Sequence, residues 1–194
     1  MTDTAPAPYS PLRDVPNGYG LISRLNHWIT AGVFLGALTL GLLLGYGELA
    51  RETAAPMMQW HQALGLLVLL WGGWRILWRI AQGFPHPTSE NPTTGTSKLE
   101  HMVARLVHIG LLAATLALPL SGLLMVLAGG HDLGVFGLTL VPASGEIEWL
   151  EELGEEVHEA APIFVLGLLI LHVGGALKHQ FVDRDDTLRR MIRP

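Results

Sequence analysis

Four runs of apolar residues dominate the chain, at roughly Leu25–Tyr46, Gln59–Ile80, Met102–Leu127 and Val157–Gln180. Each is about 20 residues or longer, the length a helix rising ~1.5 Å per residue needs to cross ~30 Å of hydrocarbon. None keeps the continuous polar face that a helix of a water-soluble bundle would show. The pattern predicts an all-α fold, an integral membrane bundle of four helices. The third connection, Ala128 to Glu156, is long enough to fold as a small cap, and Glu146–Glu156 within it reads as a short surface helix. Residues 1–20, rich in Pro, Ser, Thr and Gly, read as a disordered tail ahead of a single domain over 21–194. The tail lacks a basic stretch followed by a short apolar core and a cleavage site, so it does not read as a signal peptide.

Composition agrees with the membrane class: charged residues make up only 15%, and the mean hydropathy is +0.38. The absence of cysteine excludes disulfides, iron–sulfur clusters, thiolate zinc sites and covalent C-x-x-C-H haem attachment. A net charge of −5 and the lack of a basic stripe with interleaved aromatics exclude a nucleic-acid partner.

Basic residues orient the bundle. The second connection and its flanks carry Arg75, Arg79, Lys98 and Arg105, and the termini carry Arg13, Arg24, Lys178, Arg184, Arg189, Arg190 and Arg193. The opposite side carries only Arg51. The positive-inside rule then predicts that both termini and the loop Phe84–Thr96 are cytoplasmic. The long third connection lies outside, with Asp132, Glu146, Glu148, Glu151, Glu152, Glu155 and Glu156 and no Lys or Arg. Trp60, Trp74 and Trp78, near the ends of the second run, suit an interfacial aromatic belt.

Five histidines, His27, His61, His108, His158 and His172, fall within these runs, and His179 closes the last one. Ionisable residues in a bilayer are costly and by default functional, whereas a single one is as readily explained by a backbone hydrogen bond. The spacing says more. His158 and His172 are 14 residues apart on one helix, which leaves them ~40° apart in azimuth and ~21 Å apart along the axis. By chain direction His61 matches His158 in depth near the outer face, and His27 matches His172 near the cytoplasmic face. Two imidazole pairs at two depths are what two stacked bis-histidine haems require. Gly32, Gly36, Gly65 and Gly167 offer room for a porphyrin, or equally for close helix packing. Arg75 either meets a haem propionate or snorkels to the interface. His86, His101 and His131 read as surface residues.

The stretches Arg24-Leu-Asn-His-Trp28, His61-Gln-Ala-Leu-Gly65, Ala117-Leu-Pro-Leu-Ser-Gly122, Gly137-Leu-Thr139, and Leu171-His172 through Asp186-Thr-Leu-Arg-Arg-Met191 resemble the bacterial cytochrome b561 family of di-haem membrane cytochromes. The resemblance covers nearly all of the chain after Gly20. It implies two non-covalent b haems in the bacterial inner membrane, exchanging electrons with ubiquinone, with His61 and His158 as outer-haem ligands and His27 and His172 as inner-haem ligands. His108 and His179 match family histidines that are not ligands. By helical arithmetic His179 lies about two turns beyond His172 on nearly the same face, where it could hand a proton to a quinone, assisted by Lys178 and Asp183. It reads equally as a plain interfacial histidine.

Some members of this family resemble superoxide oxidases, which pass electrons from superoxide to quinone. An anionic donor favours basic residues around the outer haem, yet no Lys or Arg lies between Arg105 and Lys178. The acidic connection suits a cationic soluble redox protein better. Three expectations therefore stand: an oxidoreductase linking a small outer donor to quinone, an electron-transfer subunit docking a soluble partner, and a non-haem transporter with histidines along its path.

Overall fold

The computed structural model describes residues 12–15, 18–83, 98–185 and 187–192; the loop Phe84–Thr96, with His86, lies outside them. Four long helices alternate in direction: α1 (Leu21–Tyr46), α2 (Arg51–Gln82), α3 (Lys98–Ala128) and α4 (Glu148–Lys178). All four are long and apolar enough to cross a membrane. A π-helical turn, His179–Asp183, and a short α5, Thr187–Ile192, complete the chain.

The helices outlast the apolar runs at several ends. α2 starts at Arg51, eight residues before Gln59. The expected surface helix at Glu146–Glu156 is not a separate element, because α4 begins at Glu148 and runs unbroken into the apolar segment. Two physical causes favour continuity. Glu148 and Glu151 lie in the first turn, where carboxylates complement the helix dipole. Gly154 packs so closely on α3 that a Cβ there would sit 2.7 Å from the Met125 amide nitrogen. The remaining connection is not purely helical or irregular. It folds as an antiparallel hairpin, β1 (Leu133–Val135) and β2 (Leu138–Val141). Its two-residue turn places Phe136 at φ 51° and Gly137 at φ 81°, the left-handed pair that a tight hairpin needs.

α1 packs on α2, α3 on α4, and the two pairs meet along α2 and α3, whereas α4 touches α1 over only a short stretch. The buried core is Phe34, Ala37 and Leu38 of α1, Val68 of α2, Ala114 and Leu118 of α3 and Val165 of α4. Phe34, Val68 and Val165 each stand seven residues after a histidine (His27, His61 and His158). Seven residues are about two turns, or ~10.5 Å, so the apolar layer lies midway between the two histidine levels.

The first and last described segments gather at one end of the bundle. In the stretch expected to be a disordered tail, Asp14 accepts the Gly20 amide at 2.8 Å and pairs with Arg79 at 2.9 Å. Arg24 and Trp28 of α1 donate to the carbonyls of Ile192 and Met191 in α5, at 3.3 and 2.9 Å. Trp74 and Trp78 direct their indole N–H groups to α1, onto Asn26 Oδ1 at 3.2 Å and Ser23 Oγ at 2.8 Å.

Candidate functional site: two imidazole pairs facing across α4

Near the hairpin end, the rings of His61 (α2) and His158 (α4) lie 5.8 Å apart, centre to centre. Near the end that carries the termini, His27 (α1) and His172 (α4) lie 6.1 Å apart. The structure thus pairs the four histidines as their depths predict. His108 of α3, exposed on its helix, is a close third member of the second group, its ring edge-on to His172 at 5.2 Å.

Two neighbouring helices seat the hairpin-end pair by the same device. His61 Nδ1 donates to the carbonyl of Ala37 at 2.9 Å, and four residues on, a Cβ at Gly41 would lie 2.9 Å from His61 Cε1. His158 Nδ1 lies 3.0 Å from the Leu118 carbonyl and 3.0 Å from Ser121 Oγ. Four residues after Leu118, a Cβ at Gly122 would meet His158 Cε1 at 2.8 Å. A carbonyl only accepts, so the imidazole proton sits on Nδ1 and Nε2 is bare. Such outer hydrogen bonds fix the tautomer and ring plane of metal-ligating histidines. Sequence reasoning did not find Ala37, Gly41, Leu118, Ser121 and Gly122 as site residues. For Leu118, Ser121 and Gly122 a signal was present, since all three lie in Ala117–Gly122, a stretch that carries the family resemblance.

The other pair is set differently. Arg75, rather than snorkelling outward, turns inward and lies with Nη2 3.2 Å from His27 Nδ1. A guanidinium only donates, so here Nδ1 accepts and the His27 proton sits on Nε2. For His27 to present a bare Nε2 to a metal, Arg75 must find another acceptor.

These groups fit an iron porphyrin. Two imidazoles each ~2 Å from one metal ion between them have ring centres about 6 Å apart, as both pairs do. A Cβ at Gly32, Gly65 or Gly167 would meet nothing within 4 Å, which leaves those helix faces open, whereas one at Gly36 would press on Leu64 Cδ1 at 3.3 Å. Of the four glycines that read equally as porphyrin room or as close helix packing, Gly36 serves α1–α2 packing.

Beyond the second pair, His179 opens the π turn. Its Nδ1 lies 2.9 Å from Asp185 and 3.1 Å from Asp183, and Lys178 Nζ holds Asp183 at 2.9 Å. Asp185 was not anticipated. In a continuing α-helix it would lie well round the axis from His179, but the π turn and left-handed Arg184 (φ 53°) bring it back. The Asp185 carboxyl is raised by partial burial, but hydrogen bonds from Thr187 and the neighbouring His179 outweigh this and hold it below the usual carboxylate range. His101 and His131 are exposed, as expected of surface residues.

Comparison with known proteins was consistent with these features. The family described as prokaryotic cytochrome b561 matches residues 18–194. Cytochrome b561 homolog 2 of Escherichia coli (strain K12) is 32% identical over 188 residues, covering 92% of this chain and 93% of the relative. Cytochrome b561 homolog 1 of the same organism is 27% identical over 168 residues, covering 86% and 92%.

Proposed function

The chain belongs to the prokaryotic cytochrome b561 family, multi-pass bacterial membrane proteins that carry electrons across the bilayer on b-type haem, and from that premise we propose that it binds two haems, one at each imidazole pair, and links a donor at the hairpin end to ubiquinone at the end bearing the termini. Membership leaves the transporter reading without support. The observation that carries the proposal is the pair of ~6 Å imidazole couples served by one helix, α4, at two depths. The asymmetry of basic residues supports the bacterial inner membrane with both termini cytoplasmic.

When bound, each haem supplies a one-electron couple. The chain's own residues do the rest. The carbonyls of Ala37 and Leu118 hold protons at Nδ1 and keep Nε2 of His61 and His158 for iron. With two imidazoles at each level, a bound haem iron would be held by both, which would favour electron transfer over oxygen chemistry. Arg75 would hold a haem propionate with its guanidinium, and turning from His27 to do so would leave Nδ1 free to carry the imidazole proton. The layer of Phe34, Leu38, Val68, Leu118 and Val165 keeps water from between the levels.

At the cytoplasmic end His179, flanked by Asp183 and Asp185, donates a proton to quinone, and these carboxylates with Lys178 connect it to water. With superoxide as donor the balance is two superoxide anions, one quinone and two protons giving two dioxygen molecules and one quinol. A specific observation favours a second donor: Glu148, Glu152, Glu155, Glu156 and Glu159 are all exposed on α4 at the hairpin end, without a Lys or Arg between Arg105 and Lys178. A cationic soluble redox protein docking there fits that field.

The test mixes purified haem-loaded protein with a superoxide pulse, a basic soluble cytochrome or quinol, at low and high salt. Fast haem reduction by superoxide that survives salt, followed by quinol formation, supports the small-donor reading. Reduction by the cytochrome alone, lost as salt screens the glutamates, supports the docking reading. Protein whose haems exchange electrons with none of the three overturns both.

A further inference from the structure

The glutamate-bearing turns of α4 and the β1–β2 hairpin share one end of the molecule but have opposite chemistry. From residue 133 to 145 there is no charged side chain. Leu133 of β1 faces the bundle and is buried at 6% exposure, whereas Phe136, Leu138, Leu140 and Val141 are 58%, 63%, 46% and 40% exposed. In water, an uncharged exposed strand edge of this kind is an aggregation liability.

Its depth offers another environment. The Phe136 amide donates to Gln59 Oε1 at 2.7 Å, and its ring meets Trp60 edge-on at 4.8 Å. Counting the ~20 residues that cross the hydrocarbon outward from Arg79 arrives at Trp60. α2 itself continues to Arg51, about 13.5 Å further out. The hairpin tip therefore sits at the edge of the hydrocarbon, well below the top of the molecule, and its apolar side chains continue the lipid-facing surface of α2.

We propose that the hairpin is a membrane-interface anchor, with Phe136, Leu138, Leu140 and Val141 resting in the boundary between lipid headgroups and acyl chains, and the glutamate turns of α4 standing in water beside it. The headgroup region, unlike the hydrocarbon, can still hydrate the outer backbone edge of β2. Trp60 and Phe136 together form the aromatic anchor typical of that depth. The inference rests on the four helices spanning a bilayer and is independent of the haem and donor assignments.

The absence of cysteine makes the test direct. Leu138→Cys, Leu140→Cys and, for comparison, Glu152→Cys are nitroxide-labelled in haem-loaded protein in phosphatidylcholine nanodiscs. Each is then relaxed with oxygen, which concentrates in lipid, and with an aqueous nickel chelate. At positions 138 and 140 oxygen should prevail severalfold, with the reverse at 152. In parallel the wild-type protein is photolabelled by a shallow diazirine-bearing phosphatidylcholine, and adducts are expected within 133–141, with none in the first turns of α4. Nickel access at 138 and 140 equal to that at 152 overturns the proposal, as does immobilised label reached by neither relaxant, which marks a protein surface covering the strand. Wild-type adducts confined to the four long helices overturn it even if the labelled variants fail to fold.

Discussion

At the scale of single residues, the hairpin-end histidines depend on atoms that are not there. Gly41 and Gly122 each leave the space into which an imidazole edge fits, 2.9 and 2.8 Å from where a Cβ would stand. In an ordinary helix, replacing glycine by alanine stabilises by ~0.5–1 kcal/mol. Here the same change drives a methyl group into a ring whose Nδ1 is tied to a backbone carbonyl, and the ring must turn away. Gly122→Ala is therefore expected to lose haem at the His61–His158 level while retaining its helix content. Gly73→Ala, where a Cβ meets nothing within 4 Å, should keep full haem. Pyridine haemochrome per protein alongside circular dichroism checks this; a Gly122→Ala protein with unchanged haem stoichiometry and spectrum would show that the seat is not needed. The histidines themselves were legible because ionisable side chains stand out in apolar runs. Their seats were not, because a backbone carbonyl is the same at every residue and a glycine looks alike whether it fits a ring or a neighbouring helix.

At the scale of elements, the end of α4 departs from regular geometry. The π turn and left-handed Arg184 fold Asp185 back onto His179, with the Thr187 amide on the other carboxylate oxygen at 2.8 Å. Because the folded-state pKa of Asp185 is lowered, the carboxylate contributes stability to the turn above the ordinary range near ~3.9, and that contribution is lost only as pH falls through the lowered value. Asp185→Asn should therefore loosen 179–192 at pH 7, seen as faster amide exchange there than in wild type, and the difference should close only at pH values below the ordinary carboxylate range. Equal exchange at pH 7 would mean that the pairing stabilises nothing. Helical arithmetic carried His179 to the right depth but could not anticipate Asp185, since the extrapolation assumes that the α-helix continues. The hairpin escaped notice for a related reason: Gly137-Leu-Thr139 was visible as a motif, but the left-handed conformation of Phe136 has no sequence mark.

At the scale of the whole molecule, α4 is joined closely to α3 and only sparsely to α1, while its histidines face His27 of α1 and His61 of α2. A haem between each pair would tie the two halves of the bundle together. A ligand present at 100 times its dissociation constant stabilises the folded state by about 2.7 kcal/mol, so haem-free protein should unfold at a clearly lower temperature. It should also expose α4 to protease before α1 and α2. Apo and haem-loaded protein with identical melting in detergent would argue against haem as the bridge. Four spans, their alternating course and the two histidine depths were determined by the sequence alone, because hydrocarbon demands about 20 apolar residues with internally satisfied backbones and the helix rise is constant. Which carbonyls hold His61 and His158, the approach of His108 to His172, the inward turn of Arg75 and the hairpin's seat beside Trp60 were decided only by the tertiary structure. They depend on the rotation of each helix about its own axis against its neighbours, which packing sets and one-dimensional spacing does not record.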